Sequence, residues 1–137
     1  MNTEKNIKTL IIKKPLKLDC GKTIKDFPIA YETYGSLNSK KDNAILVFHA
    51  LTGDQFVTGI NPVTNKDGWW SYAVGPNKAI DTNKYFVICS NVLGGCMGSY
   101  GPSHKDPDQN IFGTNFPVIT INDMVNAQYN LLDHFGI

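Results

Sequence analysis

Long apolar runs are missing from this sequence. The first apolar cluster, residues 10–12, is far too short for a bilayer span, which needs about 20 residues. Neither sign of charge dominates: 13 Lys and Arg face 12 Asp and Glu, a formal net charge of +1. That balance gives no field suited to nucleic acid or an anionic membrane surface, so small, weakly charged partners are expected instead. Cysteine is sparse, with three residues at positions 20, 89 and 96 in no metal-ligand spacing. With no secretory n-region and h-region at the start, they point to reduced thiols in the cytoplasm. No internal repeat or low-complexity tract occurs, and 137 residues suit one domain, or a piece of one, better than two.

The most informative stretch is Ala44-Ile45-Leu46-Val47-Phe48-His49-Ala50-Leu51-Thr52-Gly53. Residues 45–48 are an unbroken run of β-formers, which predicts a central parallel strand buried on both faces. Ligands in open α/β sheets sit beyond the carboxyl ends of the strands, so residues 49–53 are expected to form an active-site wall. Before this strand, residues 1–8 read as a frayed terminus. Residues 9–14 and 16–18, interrupted at Pro15 and returning through Thr23 and Ile24, read as an edge hairpin. Residues 28–34 alternate as a strand with two different faces.

After it, residues 54–68 form a long loop of the kind compact domains reserve for function. Trp69, Trp70 and Tyr72 are expected to pin that loop rather than stack on a ligand. Residues 76–80 suggest one helical turn and residues 85–89 a second apolar strand. Residues 90–102 make a glycine-rich loop, and two loops at one sheet edge suggest a shared pocket. Residues 120–135 are the best helix: Thr120 caps it, Asp123 completes a capping box, and Gly136 closes it. Its expected apolar stripe is Ile121, Met124, Val125, Leu131, Leu132 and Phe135.

Several tempting chemistries fail on spacing. His49 has no local nucleophile and orienting carboxylate with which to form a triad, so a histidine bracing its loop is the better reading. His104 and His134 read as a solvated residue and a C-terminal dipole partner. Gly94, Gly95, Gly98 and Gly101 are followed by no Lys-Ser or Lys-Thr pair and do not match a dinucleotide fingerprint, which leaves tight backbone turns. Cys96, without an identifiable cationic neighbour, reads as a small buried side chain.

Four segments taken together resemble the homoserine O-acetyltransferases: residues 30–35 (Ala-Tyr-Glu-Thr-Tyr-Gly), 49–54 (His-Ala-Leu-Thr-Gly-Asp), 91–99 (Asn-Val-Leu-Gly-Gly-Cys-Met-Gly-Ser) and 116–121 (Phe-Pro-Val-Ile-Thr-Ile). The resemblance runs from about residue 10 to residue 137. It implies an α/β-hydrolase fold, here its N-terminal part over residues 1–137. That part is a mostly parallel sheet with an N-terminal antiparallel hairpin, ending before the strand that carries the nucleophile elbow. It also implies transfer of an acetyl group from acetyl-CoA to the L-homoserine hydroxyl in methionine biosynthesis, with acetyl-CoA as co-substrate and no metal or other cofactor. The Ser-Asp-His triad of such enzymes follows later in chain order, so residues 1–137 alone are expected to be inactive.

One site residue carries over: Leu51, whose backbone N–H corresponds to one donor of the oxyanion hole. Substrate-binding positions are not assigned in this part. The resemblance allows a homodimer or a complementary C-terminal chain as partner, and implies neither nucleic acid nor membrane. A succinyl-transferring relative and a non-catalytic remnant or interaction module remain the alternatives. Asn122, Tyr100 and His104 depart from the family pattern, which has Arg, a small hydroxyl residue and Ser at those places.

Overall fold

The computed structural model describes residues 7–137, so residues 1–6 of the expected frayed terminus lie outside it. In chain order the elements are β1 (Thr9–Ile12), β2 (Leu16–Lys17), β3 (Thr23–Ile24), β4 (Phe27–Tyr34), β5 (Ala44–Val47), β6 (Val74–Gly75), β7 (Ile80–Asp81), β8 (Phe86–Ser90), a 3-10 turn (Gly113–Asn115) and α1 (Ile121–Phe135). Two compact units emerge, one built on Tyr31–Ser90 and the other on Thr9–Ala30 with Asn91–Gly136.

In the first unit β5 and β8 run parallel, with Ile45 opposite Val87 and Val47 opposite Cys89. The second half of β4 joins the far side of β8 antiparallel, Tyr31 facing Ser90. The strand buried throughout is therefore β8, and the expectation of a central strand at residues 45–48 is corrected. Among the described residues β5 has a strand neighbour on one side only, and Val47 is its one buried residue. An apolar run marks a strand that can be covered on both faces; its position in the sheet is set by which strands pair with it. Val47, Val57, Val74, Val87 and Cys89 form this unit's core, with Tyr34, Ile45, Trp70 and Ile80 packed against it.

Residues 76–80 form no helical turn. Asn77 sits at φ 59°, and its N–H donates 3.0 Å to the Asp81 carboxylate instead of to a helical carbonyl. β6 and β7 pair in parallel around this bend. Lys8, read as part of a frayed end, is held: its ammonium pairs with Glu32, and its carbonyl accepts from the Tyr31 N–H at 2.9 Å.

In the second unit β1 pairs antiparallel with the first half of β4, while the hairpin is β2 with β3, Leu16 opposite Ile24. Residues 9–14 thus do not belong to the hairpin, because Pro15 separates β1 from β2 and frees β1 to pair elsewhere. Along β4 both Ile29 and Ala30 are buried, so the expected alternation of faces is lost there.

Helix α1 starts as expected. Thr120 Oγ1 accepts from the Asp123 N–H at 3.2 Å, and the Asp123 carboxylate accepts from the Thr120 N–H at 2.9 Å. Gly136, at φ 70° in the left-handed region, ends the helix. The predicted stripe holds only in part: Leu131 is buried and Met124, Leu132 and Phe135 are half-buried, but Ile121 and Val125 are exposed, and the rest of the buried face is Asp123, Ala127 and Gln128. Asp123 decides the rotation. Its second carboxylate oxygen accepts from the Asp19 N–H at 3.0 Å, while Asp19 in turn accepts from Thr120 Oγ1 at 2.5 Å and from Asn122 Nδ2 at 3.1 Å. A polar anchor of this kind outweighs the apolar count when both stripes carry large side chains.

Asp123→Ala should therefore cost about 2–4 kcal/mol, combining a lost cap with two N–H groups left without an acceptor. Urea unfolding of the parent and variant checks this; equal midpoints with equal slopes would refute it.

Candidate active-site loops

The loop after β5 is set by a few side chains at its carboxyl end. The Gly53 N–H donates to the Ala50 carbonyl at 2.8 Å, which closes a turn over residues 50–53. His49 Nδ1 lies 2.7 Å from the same carbonyl. A carbonyl only accepts, so the imidazole carries its proton on Nδ1 and braces the turn, as the sequence predicts. Leu51 stands at the apex with 95% of its surface exposed. Its N–H donates to no acceptor among the described residues.

Asp54 holds the far side of this turn. Its Oδ1 accepts from the Phe56 N–H at 2.8 Å, its Oδ2 accepts from Asn61 Nδ2 at 2.9 Å, and its carbonyl accepts from Trp69 Nε1 at 2.9 Å. The Trp69 and Trp70 rings stack 5.7 Å apart, so the tryptophans pin the loop as expected. The Tyr34 hydroxyl adds a further tie, accepting from the Val57 N–H at 3.0 Å. Burial pushes the Tyr34 phenol up to about 12, which keeps it a neutral hydrogen-bonding group. Asp54, Asn61 and Tyr34 were not singled out in the sequence. The signal for the first was present, since an Asp whose side chain accepts from the N–H two residues on is a common turn former.

Cys89, at the end of β8, is no nucleophile. Burial first, and the nearby Asp54 charge second, push its thiol up to about 12, so it stays protonated.

The glycine-rich loop after β8 belongs to the other unit and is organised by Asn91 and Ser99. Asn91 Oδ1 accepts from the Met97 N–H at 3.0 Å. The buried Ser99 hydroxyl donates to the Asn91 carbonyl at 2.6 Å and accepts from the Ala30 N–H at 3.0 Å, so it is fully committed to structure. A Cβ on Gly95 would stand 2.6 Å from Asn91 Oδ1, and one on Gly101 would stand 2.4 Å from the Gly95 carbonyl oxygen. Close backbone approach explains these glycines.

Cys96 is exposed, not buried as its size and surroundings suggested, because Asn91 and Ser99 fill the interior of the loop. His104 is half-buried rather than solvated: its Nδ1 accepts from the Gly101 N–H at 3.2 Å and its ring packs 5.3 Å from Tyr100. Two of the three positions that depart from the family pattern thus touch each other, and the third, Asn122, bonds to Asp19. Among the described residues no three His, Cys, Asp or Glu side chains are grouped so as to hold a metal ion, and no helix is long and apolar enough to cross a membrane.

No family model matches the sequence. It is 74% identical over 138 aligned residues to a homoserine O-acetyltransferase of Pelagibacter ubique, an alignment that covers all of this chain and 37% of that protein. Over its whole length the chain thus matches part of a homoserine O-acetyltransferase. Among solved structures it superposes on homoserine O-acetyltransferase from Bacillus anthracis with a TM-score of 0.86 at 33% identity, over 95% of this chain and 36% of that one. It superposes on the esterase E22 with a TM-score of 0.85 at 33% identity, over 95% of this chain and 37% of that one. The fold is accordingly part of an α/β-hydrolase fold, and the chain spans little more than a third of the length of these relatives.

Proposed function

We propose that this chain supplies an oxyanion-donating loop to a homoserine O-acetyltransferase, with the Leu51 N–H as one of the two donors. The observation that carries the proposal is the unclaimed Leu51 N–H, held at the apex of a braced turn at the carboxyl end of a parallel strand. In the complete reaction a serine hydroxyl attacks the acetyl-CoA thioester, its proton passes to a histidine, and CoA leaves as its thiol when the histidine returns that proton to the departing sulfur. The homoserine hydroxyl then gives its proton to the histidine and attacks the acetyl-serine, and O-acetyl-L-homoserine departs as the serine oxygen takes that proton back. Each addition places negative charge on the former carbonyl oxygen, and an N–H fixed in advance stabilises that charge without reorganising. No metal or prosthetic group takes part; L-homoserine and acetyl-CoA are the small-molecule partners.

These 137 residues contain no Gly-x-Ser-x-Gly elbow, so turnover requires a nucleophile from further polypeptide. Hydrolysis is the second reading, favoured by a likeness to the esterase E22 as strong as that to the Bacillus anthracis acetyltransferase. A chimera joining this chain to the remaining part of the Pelagibacter ubique protein tests both. Acetyl-CoA cleavage that depends on homoserine and yields O-acetylhomoserine is the expected result, and the 137-residue chain alone should give none. Cleavage indifferent to homoserine would establish the hydrolase reading. A folded chimera that cleaves neither thioester nor ester would overturn both.

A further inference from the structure

In the unit formed by Thr9–Ala30 and Asn91–Gly136, a cavity of about 360 Å³ opens beside hairpin β2–β3. Tyr100, Phe112, Pro107 and Pro117 give it flat apolar walls, and Lys22 and Lys25 stand among its lining residues, with no carboxylate among them. The volume falls in the range of small-molecule sites, roughly 300–1,000 Å³. Tyr100 is fixed from several sides: its ring lies 5.4 Å from Phe116, 5.8 Å from Phe112, 5.3 Å from His104 and 6.3 Å from Phe27. Its hydroxyl donates to no acceptor among the described residues.

The acids on the neighbouring segments are held by other groups, although Asp106 keeps a charge that Tyr100 feels. Asp26 pairs with Lys13 at 2.9 Å, Asp19 is held by Thr120 and Asn122, and Asp106 Oδ1 accepts from the Asn110 N–H at 2.9 Å. Among the described residues neither Lys22 nor Lys25 is in an ion pair. Two ammonium groups in no ion pair therefore stand beside rigid aromatic and prolyl surface. Inorganic phosphate would use the charges and leave the flat walls wet; a neutral aromatic would do the reverse.

We propose that this cavity binds a nucleotide, the base lying against Tyr100 and Phe112 and a phosphate meeting Lys22 and Lys25. Lysine serves as a point charge for phosphate, and an aromatic face accepts any base without hydrogen-bond matching. Such a ligand has two sources, a free nucleotide or the adenosine bisphosphate end of coenzyme A. Only the second rests on the acyl-transfer reading above.

Equilibrium dialysis of radiolabelled adenosine 3′,5′-bisphosphate against the 137-residue chain is the test. Saturable binding is expected. It should weaken about tenfold or more in the double variant Lys22→Ala, Lys25→Ala, both of whose side chains are exposed, and should fall with added salt. Adenosine without phosphate should compete poorly. Competition by coenzyme A assigns the donor's nucleotide end; competition by AMP but not by coenzyme A assigns a free nucleotide. No saturable binding, equal binding by the double variant, or competition by inorganic phosphate as strong as that by the nucleotide would overturn the proposal. A chimera without transferase activity whose dialysis is unchanged would remove the acyl-transfer reading and leave this site standing.

Discussion

Leu51→Pro in the active chimera should lower kcat/KM about 10²- to 10³-fold, while Leu51→Ala changes it little. The two variants differ in the atom that matters. Alanine keeps the backbone N–H and proline deletes it, whereas both remove a side chain that is 95% exposed and so adds little to stability. The N–H makes no bond within the described residues, so deleting it orphans no acceptor in the resting protein. Proline does restrict Ala50, the residue before it, and the loop has to keep its shape for the comparison to hold. Matching circular dichroism and matching urea midpoints establish that. Steady-state rates in acetyl-CoA and homoserine then decide: a proline variant as fast as the alanine variant would refute the donor assignment.

The second large effect is on association. The 137-residue chain should self-associate through the free side of β5, and Leu46→Lys should weaken that association about tenfold or more. Among the described residues β5 has no strand partner on the side away from β8, Ile45 and Leu46 are only half-buried, and Phe48 beyond it is 58% exposed. Natural sheets cover or charge such an edge. The choice of residue 46 follows from strand alternation: Ile45 packs on the core and Val47 belongs to it, so a lysine at either would unfold the unit rather than report on its edge. Leu46 points to the opposite face. Sedimentation velocity of both proteins at high concentration reads the outcome, with amide exchange along Ala44–Val47 as the second measurement. A parent chain that sediments as a monomer, with slow exchange on that strand, would show the edge protected and the prediction wrong.

Local chemistry in the sequence determined the elements that depend on near neighbours. The helix over residues 121–135, its Thr120 and Asp123 capping box, its Gly136 terminus and the two apolar strands were all legible, because caps and short β-runs are written in residues a few positions apart. So was the bracing role of His49 and the tight backbone of the glycine loop. Three things were decided only in the tertiary structure. Among the described residues β8 and not β5 is flanked by strands on both sides, since its pairing partners come from residues 31–34 and 44–47 and no local pattern encodes which strand lies between them. Helix α1 turned its Asp123 face inward because Asp19, more than a hundred positions away, offers an N–H to that carboxylate. Cys96 was left outside because Asn91 and Ser99 spend their polar groups on the loop's interior. A residue's burial is settled by what its distant neighbours need satisfied, and that information becomes available only when the chain has brought them together.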